Sequence, residues 1–258
     1  MDHRQIAAAL HVADKENRQI SPITVSEPAL NLADAYAIQL AGVDLKKAEG
    51  HKVVGMKIGL TSRAMQEMFE VNEPDYGHLT DRMIIREGEG CSLSRISQPK
   101  VEGELAFILK APLKGPGLSL ADVYQATAFV CPALEIIGSR VGGGKLTLLD
   151  SVADNGSAGA FVLGGRLTPI EQVDLRLLGM ILEKNGRLVN SGCGAEVMGH
   201  PAAAVAWLAN KLAEFDISLK AGHIILSGAL TAAQPAAAGD AFSAIFAGLG
   251  SASVFFAD

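Results

Sequence analysis

Cysteine is scarce in this chain, basic charge is outweighed and long apolar runs are missing, and each absence closes off a class of function. The three cysteines, Cys91, Cys131 and Cys193, are odd in number and isolated, with no Cys-x-x-Cys spacing. That pattern argues against a disulfide framework and against a zinc site, and it leads to the expectation of a reduced, cytoplasmic protein. Lys and Arg number 22 against 28 Asp and Glu, a net charge of -6, and the basic residues are scattered. There is no electrostatic footprint for nucleic acid or for an anionic membrane surface. No stretch of about 18 apolar residues is available to span a bilayer, and the mixed segment after Met1 carries no expectation of a signal peptide. Internal repeats and low-complexity tracts are absent as well. A small-molecule enzyme fits these exclusions better than a scaffold for nucleic acid or lipid.

The 258 residues, 49% of them hydrophobic, are enough to bury a full core. Residues 1–50 read as an N-terminal helical segment. Ile6, Ala7, Leu10 and Val12 give the first helix an apolar stripe, and Asn31 with Asp34 caps a second that runs to Gly50. Residues 51–258 read as a mixed-β catalytic domain. Val53 to Leu60 is a short apolar strand, with Thr61-Ser62 capping the helix that follows. Asn185-Gly186 between two apolar runs is the strongest hairpin signal in the chain, and His200-Pro201 opens a long helix. Ser119 and Asp122 open another helix, expected to run to about Phe129, and the stretch Ser151 to Ser157 is small and polar, followed by a return to strand over Ala158 to Leu163. Tight turns dominate and the strand-helix alternation of a doubly wound sheet is missing, so the expected class is α+β, built on a mixed sheet or roll.

The chemistry concentrates in Pro99 to Leu109. Glu102 and Glu104 are two apart in an alternating apolar run, so a strand projects both carboxylates from one face. Either that face is solvated or the pair recruits a cation, because like charges at close range raise each other's pKa. A third carboxylate, Glu135, stands alone in the apolar run Cys131 to Ile137, where burial without a partner is costly. Three carboxylates suit a hard divalent ion such as Mg2+ or Mn2+. Lys57 is the odd residue in its strand, either a snorkelling edge residue or a cation for an anionic substrate. Asp75, in the turn-rich stretch Val71 to His78, is expected on a loop, as a turn former or as an acid-base group.

Several strings resemble one family in their order along the chain: Lys57-Ile58-Gly59-Leu60-Thr61-Ser62, Pro74-Asp75-Tyr76-Gly77, Gln98 to Phe107, Pro132-Ala133-Leu134-Glu135, Ser139-Arg140, Val152-Ala153-Asp154-Asn155, Glu183-Lys184-Asn185-Gly186 and Ser227-Gly228. This is the order found in 2-oxopent-4-enoate (2-hydroxypenta-2,4-dienoate) hydratases, which have the fumarylacetoacetate hydrolase-like fold. The chain also resembles the 4-oxalocrotonate decarboxylases in Lys110 to Gly117, Gly199-His200-Pro201 and Leu230 to Ala233. Asp75 matches the hydratase pattern Pro-Asp-Tyr/Phe-Gly, whereas the decarboxylases carry an uncharged residue before Tyr-Gly.

The resemblance implies a fumarylacetoacetate hydrolase-like mixed sheet roll with a helical N-terminus. It also implies Mg2+ or Mn2+ on Glu102, Glu104 and Glu135, catalytic roles for Lys57 and Asp75, and Ser62, Asn155 and Ser227 as substrate-binding groups. The implied reaction is hydration of a 2-hydroxydienoate in aromatic meta-cleavage degradation; the alternatives are decarboxylation of 4-oxalocrotonate or a non-catalytic partner subunit. A homo-oligomer is expected, and with it a complex with the pathway's partner enzyme. One departure is the glycine-rich Val141 to Lys145, where many relatives carry an aromatic-containing segment.

Overall fold

The computed structural model describes residues 1–257. Three helices open the chain, α1 (His3–Lys15), α2 (Ile23–Ser26) and α3 (Leu32–Ala48), followed by β1 (Val53–Gly59), α4 (Arg63–Met68), β2 (Asp75–Thr80) and the short β3 (Ile84–Ile85) and β4 (Gly90–Ser92). The centre holds β5 (Lys100–Leu109), α5 (Leu120–Ala126), β6 (Thr127–Ile137), α6 (Leu148–Ala153), β7 (Ala158–Leu163) and β8 (Thr168–Pro169). Then come β9 (Gly179–Lys184), β10 (Arg187–Cys193), α7 (Pro201–Leu212), β11 (Ile224–Ala229), β12 (Gln234–Pro235), β13 (Ala241–Phe246) and β14 (Gly250–Ala257).

Two mixed sheets result. The larger runs β2-β1-β11-β5-β6-β7-β3, with β12 on β5 and β8 on β6; the smaller runs β10-β9-β13-β14-β4. Parallel pairs join β1 to β11, β3 to β7 and β14 to β4, and the rest are antiparallel. The sheets meet where β5 turns Val101, Leu105, Phe107 and Leu109 into the core, all at most 2% exposed. Gly103 marks the closest approach, since a Cβ there would stand 2.7 Å from Met180 Cε. The even residues of β5 are left to face the opposite side, and that parity makes the site.

Local chemistry sets the element ends. The Asn31 side chain accepts from Asp34 N at 3.0 Å while Asp34 accepts from Asn31 N at 3.4 Å, a reciprocal cap for α3. His200 Nδ1 accepts from Ala202 N at 3.1 Å, and Pro201 occupies the first turn of α7, whose faces are mostly buried. Asn185 and Gly186 take φ of 55° and 71°, the left-handed pair that a two-residue hairpin turn requires.

One local expectation is corrected here. The helix expected to reach Phe129 stops at Ala126, because Thr127 is already extended and its backbone pairs with Leu109 while its hydroxyl donates to Val123 O at 2.8 Å. The stretch from Ser151 contains the end of α6, capped by the Thr147-Asp150 pair one turn earlier. No helix among the described residues is long and apolar enough to cross a membrane.

The helical layer is tied to the sheet by Gln39 of α3. Its amide donates to Tyr76 O at 2.9 Å and to Val152 O at 2.8 Å, so its oxygen is the acceptor for His78 Nδ1 at 3.0 Å. Burial pushes the His78 imidazole from 6.5 down to about 4. The unfolded chain therefore takes up this proton near pH 6.5 and the folded chain only near pH 4, so the stability is whole above pH 6.5 and drains away as pH falls toward 4. Between pH 7 and 4, urea unfolding of wild type should lose roughly 3 kcal/mol more than unfolding of His78→Gln; equal losses would contradict this role.

Candidate active site

Antiparallel pairing sets Glu102 opposite Glu135 and Glu104 opposite Ala133, which puts all three glutamates on one face of the β5-β6 pair. One oxygen from each lies within 4.8 Å of the others. Glu104 and Glu135 are fully buried, so the solvated-face reading of the strand fails. Gly228 N donates to Glu104 Oε2 at 2.8 Å, but Glu104 Oε1 and both oxygens of Glu135 lack a well-formed hydrogen bond. Burial, then the neighbouring Glu135, pushes Glu102 up to about 7 and Glu104 well above the usual carboxylate range, while burial raises Glu135 against the lowering pull of Lys57.

Among the described residues Lys57 supplies the one cation in direct contact, with Nζ 3.5 Å from Glu135 Oε1. Burial alone would discharge this ammonium, but Glu135, Asp75, Glu102 and Glu104 together hold it charged, with its pKa above the usual lysine value. One lysine cannot neutralise three glutamates. The donor set is all oxygen, the kind that hard divalent ions such as Mg2+ and Ca2+ take, and its three atoms lie close enough together to share one ion. A dication with Lys57 brings the charge of the three glutamates to zero, and the orphaned oxygens gain partners. The residues present fit a hard divalent cation.

Asp75 begins β2 opposite Gly59 and is not on a loop. The expectation of a loop rested on Asn72 to Pro74, but pairing with β1 extends the strand up to the turn. Asp75 is buried, its Oδ2 accepts from Ser151 Oγ at 3.0 Å, and its Oδ1 has no partner. A Cβ on Gly59 would overlap Asp75 Oδ1 and stand 3.1 Å from Lys57 Nζ. The missing side chain at Gly59 therefore lets the acid and the ammonium share one space.

A turn covers Lys57 from above. Asn155, Gly156 and Ser157 all have φ between 56° and 59°, and a Cβ on Gly156 would touch Lys57 Cδ, Cε and Nζ at 3.4 Å. The Asn155 side chain accepts from His78 N at 2.8 Å and donates to His78 O at 2.9 Å. Buried Arg140 anchors the base of this turn, donating to Asp154 Oδ1 at 2.6 Å and to the carbonyls of Gly138 and Ala158, each at 2.8 Å.

Of the residues singled out in the sequence, Lys57, Asp75, Glu102, Glu104 and Glu135 converge. Ser227 lies beside them on β11, fully buried with an unpaired Oγ, just before the Gly228 that binds Glu104. Ser62 and Asn155 are occupied otherwise: Ser62 caps α4 through Met65 N at 3.3 Å, and Asn155 is clamped to His78. The sequence reading missed Ser151, Gly59 and Gly156. The cap at Thr147-Asp150 was the available signal for Ser151. Beyond the glutamates the same face turns apolar, with Ala106, Cys131, Ala133, Phe161 and Leu226 in one buried cluster.

Residues 52–254 match the family model described as fumarylacetoacetate (FAA) hydrolase C-terminal. The chain belongs to the fumarylacetoacetate hydrolase family. Among curated relatives in this family, it is 45% identical to a 2-hydroxyhexa-2,4-dienoate hydratase of Comamonas testosteroni, over 96% of this chain and 95% of that protein. It is 42% identical to a 4-oxalocrotonate decarboxylase of Pseudomonas sp. strain CF600, over 97% and 96%. A solved 4-oxalocrotonate decarboxylase of Pseudomonas putida G7, complexed with magnesium and adipate, superposes with a TM-score of 0.94 at 41% identity, covering 99% of this chain and 98% of the other. The α+β class and the family expected from the sequence both hold.

Isothermal titration with Mn2+ should show one saturable site in the wild type and a loss of at least about tenfold in affinity in Glu104→Gln. Unchanged affinity in that variant would remove Glu104 from the ligand set.

Proposed function

We propose that this protein is a divalent-metal-dependent lyase that adds water to 2-hydroxypenta-2,4-dienoate (2-oxopent-4-enoate) to give 4-hydroxy-2-oxopentanoate. The observation that carries the proposal is the meeting, on one concave sheet face, of three oxygen-donor carboxylates with a charged lysine and a separate buried aspartate that keeps one oxygen free. A metal site alone would serve several reactions on a 2-oxo acid. A second, independently held acid is what hydration adds to the requirement.

Glu102, Glu104 and Glu135 would hold Mg2+ or Mn2+. When bound there, the ion supplies Lewis acidity toward the carboxylate and C2 oxygen of the substrate. Lys57, kept charged by its acidic neighbours, draws the anionic substrate in and stabilises negative charge that develops on the C2 oxygen. Ser227 Oγ, buried and unpaired, is placed to donate to the substrate carboxylate. Asp75 moves the protons: Ser151 fixes its Oδ2, and its free Oδ1 takes a proton from the water that adds at C4 and returns one to carbon. The 2-hydroxyl proton leaves oxygen for C5 as the diene ketonises, and the water proton goes to C3, so one water is consumed, one C–O and two C–H bonds form as the enol O–H and one water O–H break, and no oxidant is needed.

The reading also places the protein in the cytoplasm as a homo-oligomer that can associate with its pathway's decarboxylase. Its free cysteines support the compartment. Ile181, Leu188, Ile245 and Phe255, all exposed on the smaller sheet, support association. A second reading, decarboxylation of 4-oxalocrotonate, is favoured by the close superposition on the magnesium-bound decarboxylase.

With Mg2+ and 2-hydroxypenta-2,4-dienoate, loss of dienol absorbance should accompany the appearance of 4-hydroxy-2-oxopentanoate. Asp75→Asn should slow this by roughly 10²–10⁴-fold while binding Mn2+ as wild type does. Release of CO2 from 2-oxo-3-hexenedioate without hydration of the dienoate would establish the second reading instead.

A further inference from the structure

Ser151, whose hydroxyl fixes Oδ2 of Asp75, stands between two residues that are themselves held from the N-terminal helical segment. On one side is Asp150. It is fully buried, no cation pairs with it among the described residues, and four hydrogen bonds satisfy it: from Thr147 N and Oγ1 at 3.0 and 2.8 Å, and from Thr24 N and Oγ1 at 3.1 and 2.9 Å. On the other side is Val152, whose carbonyl accepts from Gln39 Nε2 at 2.8 Å. We propose that Thr24 of α2 is a positioning residue for hydration, acting through Asp150 and Ser151 on Asp75. The proposal rests on the role given to Asp75 in the proposed function. The family match begins at residue 52, so Thr24 lies in the segment that precedes the shared domain.

The first argument is that α6 does not need Thr24 for its cap. Thr147 and Asp150 already form a complete capping box. Thr24 adds two more donors from 126 residues away, and a buried carboxylate with no cation depends on each donor it has. Removing the Thr24 hydroxyl leaves Asp150 Oδ2 short of a partner at the residue to which Ser151 is joined. The chain is also shaped to bring Thr24 there. Ile20 N donates to Arg140 O at 2.8 Å and Gly142 N to Ile20 O at 2.9 Å. A Cβ on Gly144 would stand 3.2 Å from Pro22 Cγ, and one on Gly142 would overlap the Gln19 side chain. The glycines that set Val141 to Lys145 apart therefore let the segment leading into α2 lie close enough for Thr24 to reach Asp150.

The second argument is Gln39, which grips the same contact from α3. Its Nε2 donates to Val152 O and, at 2.9 Å, to Tyr76 O, so one nitrogen holds the residues that follow Ser151 and Asp75. Asp75 needs such a hold, because the missing side chain at Gly59 opens its space to Lys57 Nζ. Released from Ser151, the carboxylate is free to turn toward the ammonium, and the oxygen that accepts a proton from water becomes an ion-pair partner instead. A misplacement of about 1 Å at a reacting group costs up to roughly 10²-fold in rate.

Steady-state hydration of 2-hydroxypenta-2,4-dienoate by the full, Mg2+-loaded chain tests this through Thr24→Val, which removes the hydroxyl at nearly constant size. The expected result is a kcat about tenfold lower with KM and Mn2+ affinity unchanged, and recovery to within about twofold in Thr24→Ser. Ser151→Ala should be slowed at least as much, and the double variant Thr24→Val/Ser151→Ala no more than Ser151→Ala by itself, because both substitutions cut one line of contact. Wild-type kcat in Thr24→Val, or losses that multiply in the double variant, would overturn the positioning role; a hydroxyl that served folding alone would lower thermal stability and leave kcat per folded molecule unchanged. Should valine prevent folding, Thr24→Ala removes the same hydroxyl. A crystal structure of the variant reads the geometry without turnover: the Ser151–Asp75 distance should exceed roughly 3.5 Å, and a bond kept at the wild-type 3.0 Å would overturn the proposal. A wild type inactive on the dienoate would overturn the proposed function instead, and the crystal comparison would still decide whether Thr24 holds Ser151 on Asp75.

Discussion

Mutual repulsion among Glu102, Glu104 and Glu135 is the constraint that the rest of the structure answers. Taking each carboxylate out of water costs several kcal/mol even after relaxation, and the three lie close enough to raise one another further. The surroundings of the site can be read as partial relief of that cost. Gly228 N reaches Glu104 because β11 bulges at Ser227-Gly228, where the register with β5 shifts. Lys57 is carried in on β1, which the parallel pairing with β11 holds two strands away from β5. The relief is incomplete, since one ammonium faces three carboxylates, and the remaining deficit is what gives the site its affinity for a dication.

Strand parity then separates the labours of β2. Its front residues are Asp75, whose carboxylate belongs to the acidic site, and Gly77, while Tyr76 and His78 point into the helical layer, where Tyr36 stacks on Tyr76 with centroids 4.4 Å apart. One strand thus carries the proposed proton-moving acid on one face and the anchor of the N-terminal helices on the other. The Arg140–Asp154 pair makes the same connection from a second direction. It is fully desolvated, and removal of either partner would strand the other as a buried charge.

The glutamate face was legible because it depends on period two alone: Glu102 and Glu104 share a face in any strand, and Glu135 was conspicuous as an acid in an apolar run. The caps at Asn31 and Ser62 and the Asn185-Gly186 hairpin were legible because their chemistry is local. What could not be read was long-range. Asp75 looked like a loop residue because Asn72 to Pro74 carry turn chemistry, and only pairing with Gly59 makes it strand. Asn155 was named through the family resemblance, and only the fold shows that His78 is the partner of its amide. Ser151 had no meaning until α6 placed it against Asp75. The order of motifs along the chain conveyed the family; the register between distant strands decided which of their residues meet.

The account stands most directly on where a cation sits. Crystals grown with Mn2+ and a 2-oxo acid, measured for anomalous scattering, should show one peak bounded by Glu102, Glu104 and Glu135 at about 2.2 Å from an oxygen of each, with the 2-oxo acid oxygens completing its shell beside Lys57. A fully occupied anomalous peak elsewhere, or a 2-oxo acid bound in the site with no peak among the three glutamates, would contradict it.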